Sequence, residues 1–293
     1  MQPRQQHAPS FKARDVRAVS RIATGPNGAY DCCLILLMTD PETVVWFEEH
    51  FQSDNLRLNY NQMLYTGSCS MLANERVLDW LITHRKADAS RFISPQKMLV
   101  AALTARLPPL RIRWMIKNKM VAFADTETPR YFHLAVTYPR DQVVELLELL
   151  LASGEIPGPM LLEHSVTAAE DPSVTIPWLL AHGCAFPTGA LDKVPRRLRD
   201  GWSVRQCIEL TQWLMDAFSL EMGSAYYVEA LRWSHKAPIE QLLRWALPYC
   251  QPNREYISAS MAEHRRWHGK LGASQVLLVC LLLQAPSPSV KIA

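Results

Sequence analysis

Apolar residues along this 293-residue chain recur at a helical period, and no alternation of period two is long enough to predict a strand. Tryptophan marks the recurrence most clearly. Trp46, Trp80, Trp114, Trp178, Trp213 and Trp245 are separated by 34, 34, 64, 35 and 32 residues. Reading the 64 as two steps places Leu146 in the gap, and one further step places Leu278 after the last, giving a mean step of about 33. The neighbours follow the same register. Two residues earlier stand Val44, Leu78, Ile112, Val144, Ile176, Thr211, Leu243 and Val276. One residue later stand Phe47, Leu81, Met115, Leu147, Leu179, Leu214, Ala246 and Val279. Thr211 and Ala246 are the weak members of a stripe that predicts one face of a helix buried between neighbours.

Entry and exit signals frame these helices. Asp40-Pro41, Pro108-Pro109, Asp171-Pro172 and Ala237-Pro238 put proline at or near the first helical position, where its missing N–H costs nothing. Asp40 and Asp171 can cap the exposed amides. Gly154 and Gly183 mark two exits. A shorter helix is predicted before each, over Asn61–Ala73, Pro95–Arg106, Pro129–Thr137, Pro159–Ala169 and Ala225–Ser234. Small residues recur there, including Ala101, Ala102, Ala135 and Ala168, so these first helices can approach closely and line a concave side. The sixth repeat is irregular, because Pro195 interrupts its first helix and Thr211 sits on the apolar stripe. The expected architecture is all-α: an α-solenoid of about eight helix-turn-helix repeats over residues 29–284, with a basic N-terminal tail over 1–28 and a C-terminal tail over 285–293.

His133-Leu134-Ala135, Val143-Val144-Glu145-Leu146-Leu147 and Ser153-Gly154 together resemble the core of an ankyrin repeat at that family's spacing. Ile176-Pro177-Trp178-Leu179-Leu180-Ala181-His182-Gly183 is similar to the family's second helix with a tryptophan placed inside it. Thr128-Pro129 stands two residues too early for the family's turn motif, and Ile156-Pro157-Gly158-Pro159 and Phe186-Pro187-Thr188-Gly189 replace its hairpin finger. The resemblance implies a protein-recognition module that binds through inner helices and loop tips. It places family contact positions on Thr137 and Tyr138, and it implies a structural hydrogen-bonding role for His133.

Composition narrows the function. Apolar content of 48% and charged content of 20% describe a folded chain with a buried interior. Net charge is +3, but residues 1–28 hold a surplus of +4, leaving the rest at about −1. A near-neutral body argues against nucleic-acid binding, which needs a dense basic face. Seven scattered cysteines without a C-x-x-C pair predict reduced thiols in an intracellular protein, cytoplasmic or nuclear. The start lacks the apolar core of a secretory signal, and the longest apolar runs are shorter than the roughly 20 residues that cross a bilayer, so no membrane association is expected.

Candidate chemistry is sparse. Phosphate loops, zinc-protease signatures, nucleophile elbows and dinucleotide fingerprints are all missing. His264 and His268 stand four apart on a helical stretch, but Arg265 and Arg266 lie beside them and no third ligand is evident, so neither a metal nor a cofactor is expected. Trp202, Trp233 and Trp267 fall outside the main tryptophan register, in company with Tyr226, Tyr227, Arg232, His235 and Arg266. These residues suit an aromatic hot spot for a protein partner or a pocket for an apolar small molecule. Core packing competes with that reading, since Trp233 aligns with Leu134. The leading expectation is a protein-binding adaptor whose partner is unidentified. The alternative is a cofactor-free isomerase or cyclase of an apolar metabolite, drawing acid and base from His133, Glu163, His164 or His235. The apolar stretch Gln275–Gln284 predicts a covered end, for which a homodimer is one solution.

Overall fold

In the computed structural model the described residues are 33, 35–51, 58–123, 130–233, 239–250, 253, 255–259 and 262. Their regular structure is all helical, and none of them forms a strand. The helices are α1 (Pro41–Phe51), α2 (Tyr60–Ser68), α3 (Glu75–Arg85), α4 (Pro95–Thr104), α5 (Pro109–Lys117), α6 (Arg130–Ala135), α7 (Arg140–Ala152), α8 (Leu161–Ala168) and α9 (Pro172–Ala181). A 3₁₀ helix over Leu191–Asp200 follows, then α10 (Val204–Phe218), α11 (Ala225–Arg232) and α12 (Glu240–Ala246). The basic tail, the stretch 275–284 and the C-terminal tail lie outside the described residues.

Each described tryptophan of the main register falls in a helix, and at least one further helix stands between successive members. Prolines 41, 109 and 172 open α1, α5 and α9 as the entry signals predict. Asp40 accepts the Thr43 amide at 2.7 Å, and Asp171 accepts the Ser173 amide at 3.0 Å. α10 opens on a reciprocal box in which Ser203 accepts from the Gln206 amide and Gln206 accepts from the Ser203 amide.

The apolar stripe is buried where the register puts it: Val44 and Phe47, Leu78 and Leu81, Ile112 and Met115, Ile176 and Leu179, Thr211 and Leu214, Leu243 and Ala246 are all interior. Each large aliphatic contributes about 1.5–3 kcal/mol by leaving water. α7 departs from the predicted register. Val143, Leu146, Leu147 and Leu150 are fully buried, whereas Val144 is 37% exposed. The residue equivalent to the indoles is therefore Glu145 rather than Leu146, and it pairs with Arg113 at 2.9 Å. A one-residue slip leaves four leucine-type side chains inside, so the core accepts it.

The chain divides into two compact units, residues 1–135 with 145–155 and residues 136–144 with 156–293. In the first, α2 packs on α3, α4 on α6 and α1 on α3. Gly67 allows α2 to come that close, because a Cβ there would sit 2.6 Å from Leu78 Cδ2 and 2.7 Å from Leu37 Cδ2. In the second, the 3₁₀ helix is the hub against which α8, α10 and α11 pack. Pro195 lies inside it, so the first helix of the irregular repeat forms as 3₁₀ rather than α. Thr211 is fully buried without penalty: its hydroxyl donates to the Cys207 carbonyl at 2.8 Å and accepts from Tyr226 Oη at 3.1 Å.

Gly67→Val is expected to lower the unfolding free energy by about 2 kcal/mol, because two leucine side chains would have to move and a β-branched residue gains little in a helix. Urea denaturation followed by circular dichroism measures this.

Candidate functional site

The indoles do not form the centre of the core. Trp46, Trp80, Trp114, Trp213 and Trp245 are half-buried at its margin, each with an edge at the surface. Three of the row stack on a histidine four residues later, with ring centroids 4.6 Å apart for Trp46 and His50, 6.2 Å for Trp80 and His84, and 3.8 Å for Trp178 and His182. His50 Nδ1–H donates to the Trp46 carbonyl at 2.8 Å, and His182 Nδ1–H donates to that of Trp178 at 2.7 Å. Asn118 does the same for Trp114 through Nδ2 at 3.0 Å. These side chains add a second donor near the helix end, where the Trp114 and Trp178 carbonyls already accept the backbone amides of Asn118 and His182, so the repeated W-x-x-x-H pattern fixes an imidazole against an indole. The interval of four is legible in the sequence beside Trp46, Trp80 and Trp178.

In the first unit this row borders a groove. Its volume is about 480 Å³, it is open to solvent, and it is lined by Pro41, Glu42 and Val45 of α1 and by Arg76, Asp79, Trp80, Thr83 and His84 of α3. Trp80 is held from below by charge. Glu48 is a buried carboxylate that accepts from Arg85 and from the Tyr60 hydroxyl. The Arg85 guanidinium then lies 4.9 Å from the Trp80 ring centroid. Burial and the bond to Glu48 push the Tyr60 phenol up to about 12, so it stays a donor. Thr83 donates to the Asp79 carbonyl at 2.7 Å and accepts from His84 Nδ1–H at 2.8 Å, which fixes that imidazole too.

The residues predicted to carry a site are placed differently. Tyr138, Tyr226 and Tyr227 are fully buried. Tyr226 Oη donates to Thr211, Tyr227 Oη donates to the Cys250 carbonyl, and burial holds both phenols far above their ordinary range. A partner would meet neighbours of these rings rather than the rings. Thr137 and His133 are half-buried. Trp202 is half-buried under the Arg197 guanidinium, which stands 4.1 Å from its centroid. Glu163 lies 4.0 Å from Arg196, and its neighbour His164 is half-buried. Arg232 and Trp233 do come together: both donate to the buried Glu229, at 2.7 and 3.3 Å. His235, Arg266 and Trp267, with His264 and His268, lie outside the described residues.

Sequence reasoning missed Arg197. It is buried, and its guanidinium donates to the carbonyls of Val166, Ala169 and Ser165 at 2.7, 2.5 and 2.8 Å. Burial lowers it to about 10. Among the described residues no group of three or more histidine, cysteine, aspartate or glutamate side chains could hold a metal, and the described cysteines 33, 69, 184, 207 and 250 form no disulfide. Burial pushes the Cys207 thiol up to about 12, which makes it inert as a nucleophile. No described helix is long and apolar enough to cross a membrane. No family of known proteins matches the chain, and neither a curated protein nor a solved structure is similar to it.

Burial lowers the protonation of His133, so the folded protein binds a proton there less readily than the unfolded chain. Stability should therefore fall as pH drops through the ordinary imidazole range near 6.5. Replacing the ring with His133→Asn should flatten that part of the curve, as denaturant unfolding at a series of pH values would show. Asp192 behaves in the opposite sense. Burial raises its carboxyl above 3.8, so stability contributed at low pH is lost as pH rises from 3.8 through the folded-state value. Asp192→Asn should remove this loss, and the same titration reports it.

Proposed function

We propose that this chain is an ankyrin-like repeat scaffold, an α-solenoid of about eight helix-turn-helix units, whose work is to bind another protein. The observation that carries the reading is the groove of the first unit, which is open, walled by Trp80 and His84, and flanked by Val45 and Pro41. Catalysis on an apolar metabolite calls for a site that closes over its substrate and excludes water. An open aromatic groove suits a peptide segment or a loop of a partner.

Loop tips add to it. Met38, Met71, Leu72 and Leu110 are exposed apolar residues at the turns that lead into α1, α3 and α5. Asn74 Nδ2 donates to the Thr39 carbonyl at 2.6 Å and Arg111 Nη2 donates to that of Ala73 at 2.6 Å, so these turns lie side by side. Apolar side chains left in water next to one another mark an interaction surface more often than scattered single ones.

Selection of binding peptides from a displayed library against the full chain tests the reading. Enriched peptides should bind with a dissociation constant of about 1–100 μM. Thr83→Arg, which fills the groove, and Leu72→Glu, which charges a tip, should each weaken binding by about fivefold or more, while Arg205→Glu leaves it unchanged. Failure to select any binder, or binders indifferent to both changes, would remove the proposal.

A further inference from the structure

We infer that the second unit carries a docking surface for a short acidic protein segment, received by Arg196, Arg199 and Arg232 beside the indole of Trp233. This deepens the protein-binding reading and rests on it. The residues are arranged by the repeat itself. Glu163, Arg196 and Glu229 stand 33 residues apart in succession, as do Arg199 and Arg232. α8, the 3₁₀ helix and α11 pack in that order, so equal register becomes adjacency. Glu229 accepts from Arg196 Nε at 3.2 Å, Arg232 Nη1 at 2.7 Å and Trp233 Nε1 at 3.3 Å. Glu163 lies 4.0 Å from Arg196 on the other side. The Arg199 guanidinium stands 5.8 Å from the Trp233 ring centroid and pairs with Asp200 at 2.9 Å.

What this arrangement shows to solvent differs from its formal charge. The side chains of Arg196, Arg199 and Arg232 are 34, 55 and 43% exposed, whereas Glu229 is 8% exposed and Glu163 20%. Glu229 and Glu163 therefore lie below the guanidinium edges, and Asp200, 45% exposed, shares the surface with them. A free arginine gives up rotamer entropy when it is immobilised. Here Glu229 already holds Arg196 and Arg232, so a ligand meets donors that are set in place. Arg232 offers Glu229 one nitrogen, Nη1, and its side chain is 43% exposed.

The chemistry that fits is a carboxylate. A planar fork takes a carboxylate through two parallel bonds, as Arg199 takes Asp200 through Nε at 2.9 Å and Nη2 at 3.3 Å. A side chain on an incoming segment can exchange with Asp200 and add a pair on Arg232, while Trp233 supplies an apolar wall for a neighbouring aromatic. A nucleic-acid strand fits less well, because a continuous phosphate backbone needs a dense basic face, whereas the chain beyond residue 28 carries about −1 overall.

The probe is a short fluorescein-labelled peptide that alternates glutamate and aspartate around one phenylalanine, with a glutamine and asparagine version as its neutral counterpart. Anisotropy with the full chain should show the acidic peptide binding at least about tenfold more tightly than the neutral one, with the difference shrinking as salt is raised. Arg199→Gln and Arg232→Gln should each weaken the acidic peptide by about threefold to tenfold, and Arg205→Gln and Arg244→Gln, exposed arginines elsewhere in the unit, should not. Circular dichroism identifies any variant that unfolds, and the salt dependence of the unaltered protein then still decides. Equal binding of the two peptides, or indifference to both key variants, overturns the inference, as does tighter binding of a single-stranded oligonucleotide at the same ionic strength. If library-selected peptides still bind the first unit's groove while the acidic peptide does not, this surface falls and the protein-binding reading stands.

Discussion

The structure depends on satisfying backbone carbonyls at the turns between successive helices. A short helix ends there, its last carbonyls have no intrahelical partner, and the chain bends before the next helix begins. In several places a side chain from about 30 residues further along the chain supplies the donor. Asn74 reaches the Thr39 carbonyl, Arg111 reaches that of Ala73, and Arg197 reaches three at the end of α8. Each bond closes a turn and at the same time fixes a later segment against it. A buried carbonyl without a donor costs about 1–3 kcal/mol, so these contacts outweigh the exposed ion pairs on the helix surfaces, which contribute about 0–1 kcal/mol each.

Arg197 illustrates how such a tie shapes the local backbone. To bring its guanidinium under α8 the chain runs as a 3₁₀ helix, tighter than α and compatible with Pro195. That segment then presents Arg196 and Arg199 on its other side, next to α11. The same hub places Thr211, Cys207 and Tyr226 in one interior cluster, where hydroxyls hydrogen-bond and the thiol stays protonated. Interior polarity here serves packing, and the residues able to meet a partner are those that ring it.

The two candidate surfaces share a buried carboxylate that holds arginine and an indole, the indole through Arg85 in the first and directly in the second. Glu48, Arg85 and Trp80 form one such chain in the first unit; Glu229 with Arg196, Arg232 and Trp233 forms the other in the second. Rigid aromatic and guanidinium groups held in advance lose little entropy when a partner arrives.

Much of this was readable in the sequence. Periodic tryptophans located the helices, proline and aspartate located their starts, and the missing period of two excluded strands, because these signals depend on residues close in the chain. The slip in α7 was not readable, since Val143 and Val144 are chemically alike and only packing decides which one is buried. Nor was the burial of Tyr138, Tyr226 and Tyr227, because an amphipathic ring suits a contact face and a core equally well. Arg197 looked like any surface arginine until its three carbonyls were brought to it from about 30 residues away. Sequence by itself determined what repeats along the chain; which member of each repeat faces inward depended on contacts between repeats, which only the tertiary structure supplies.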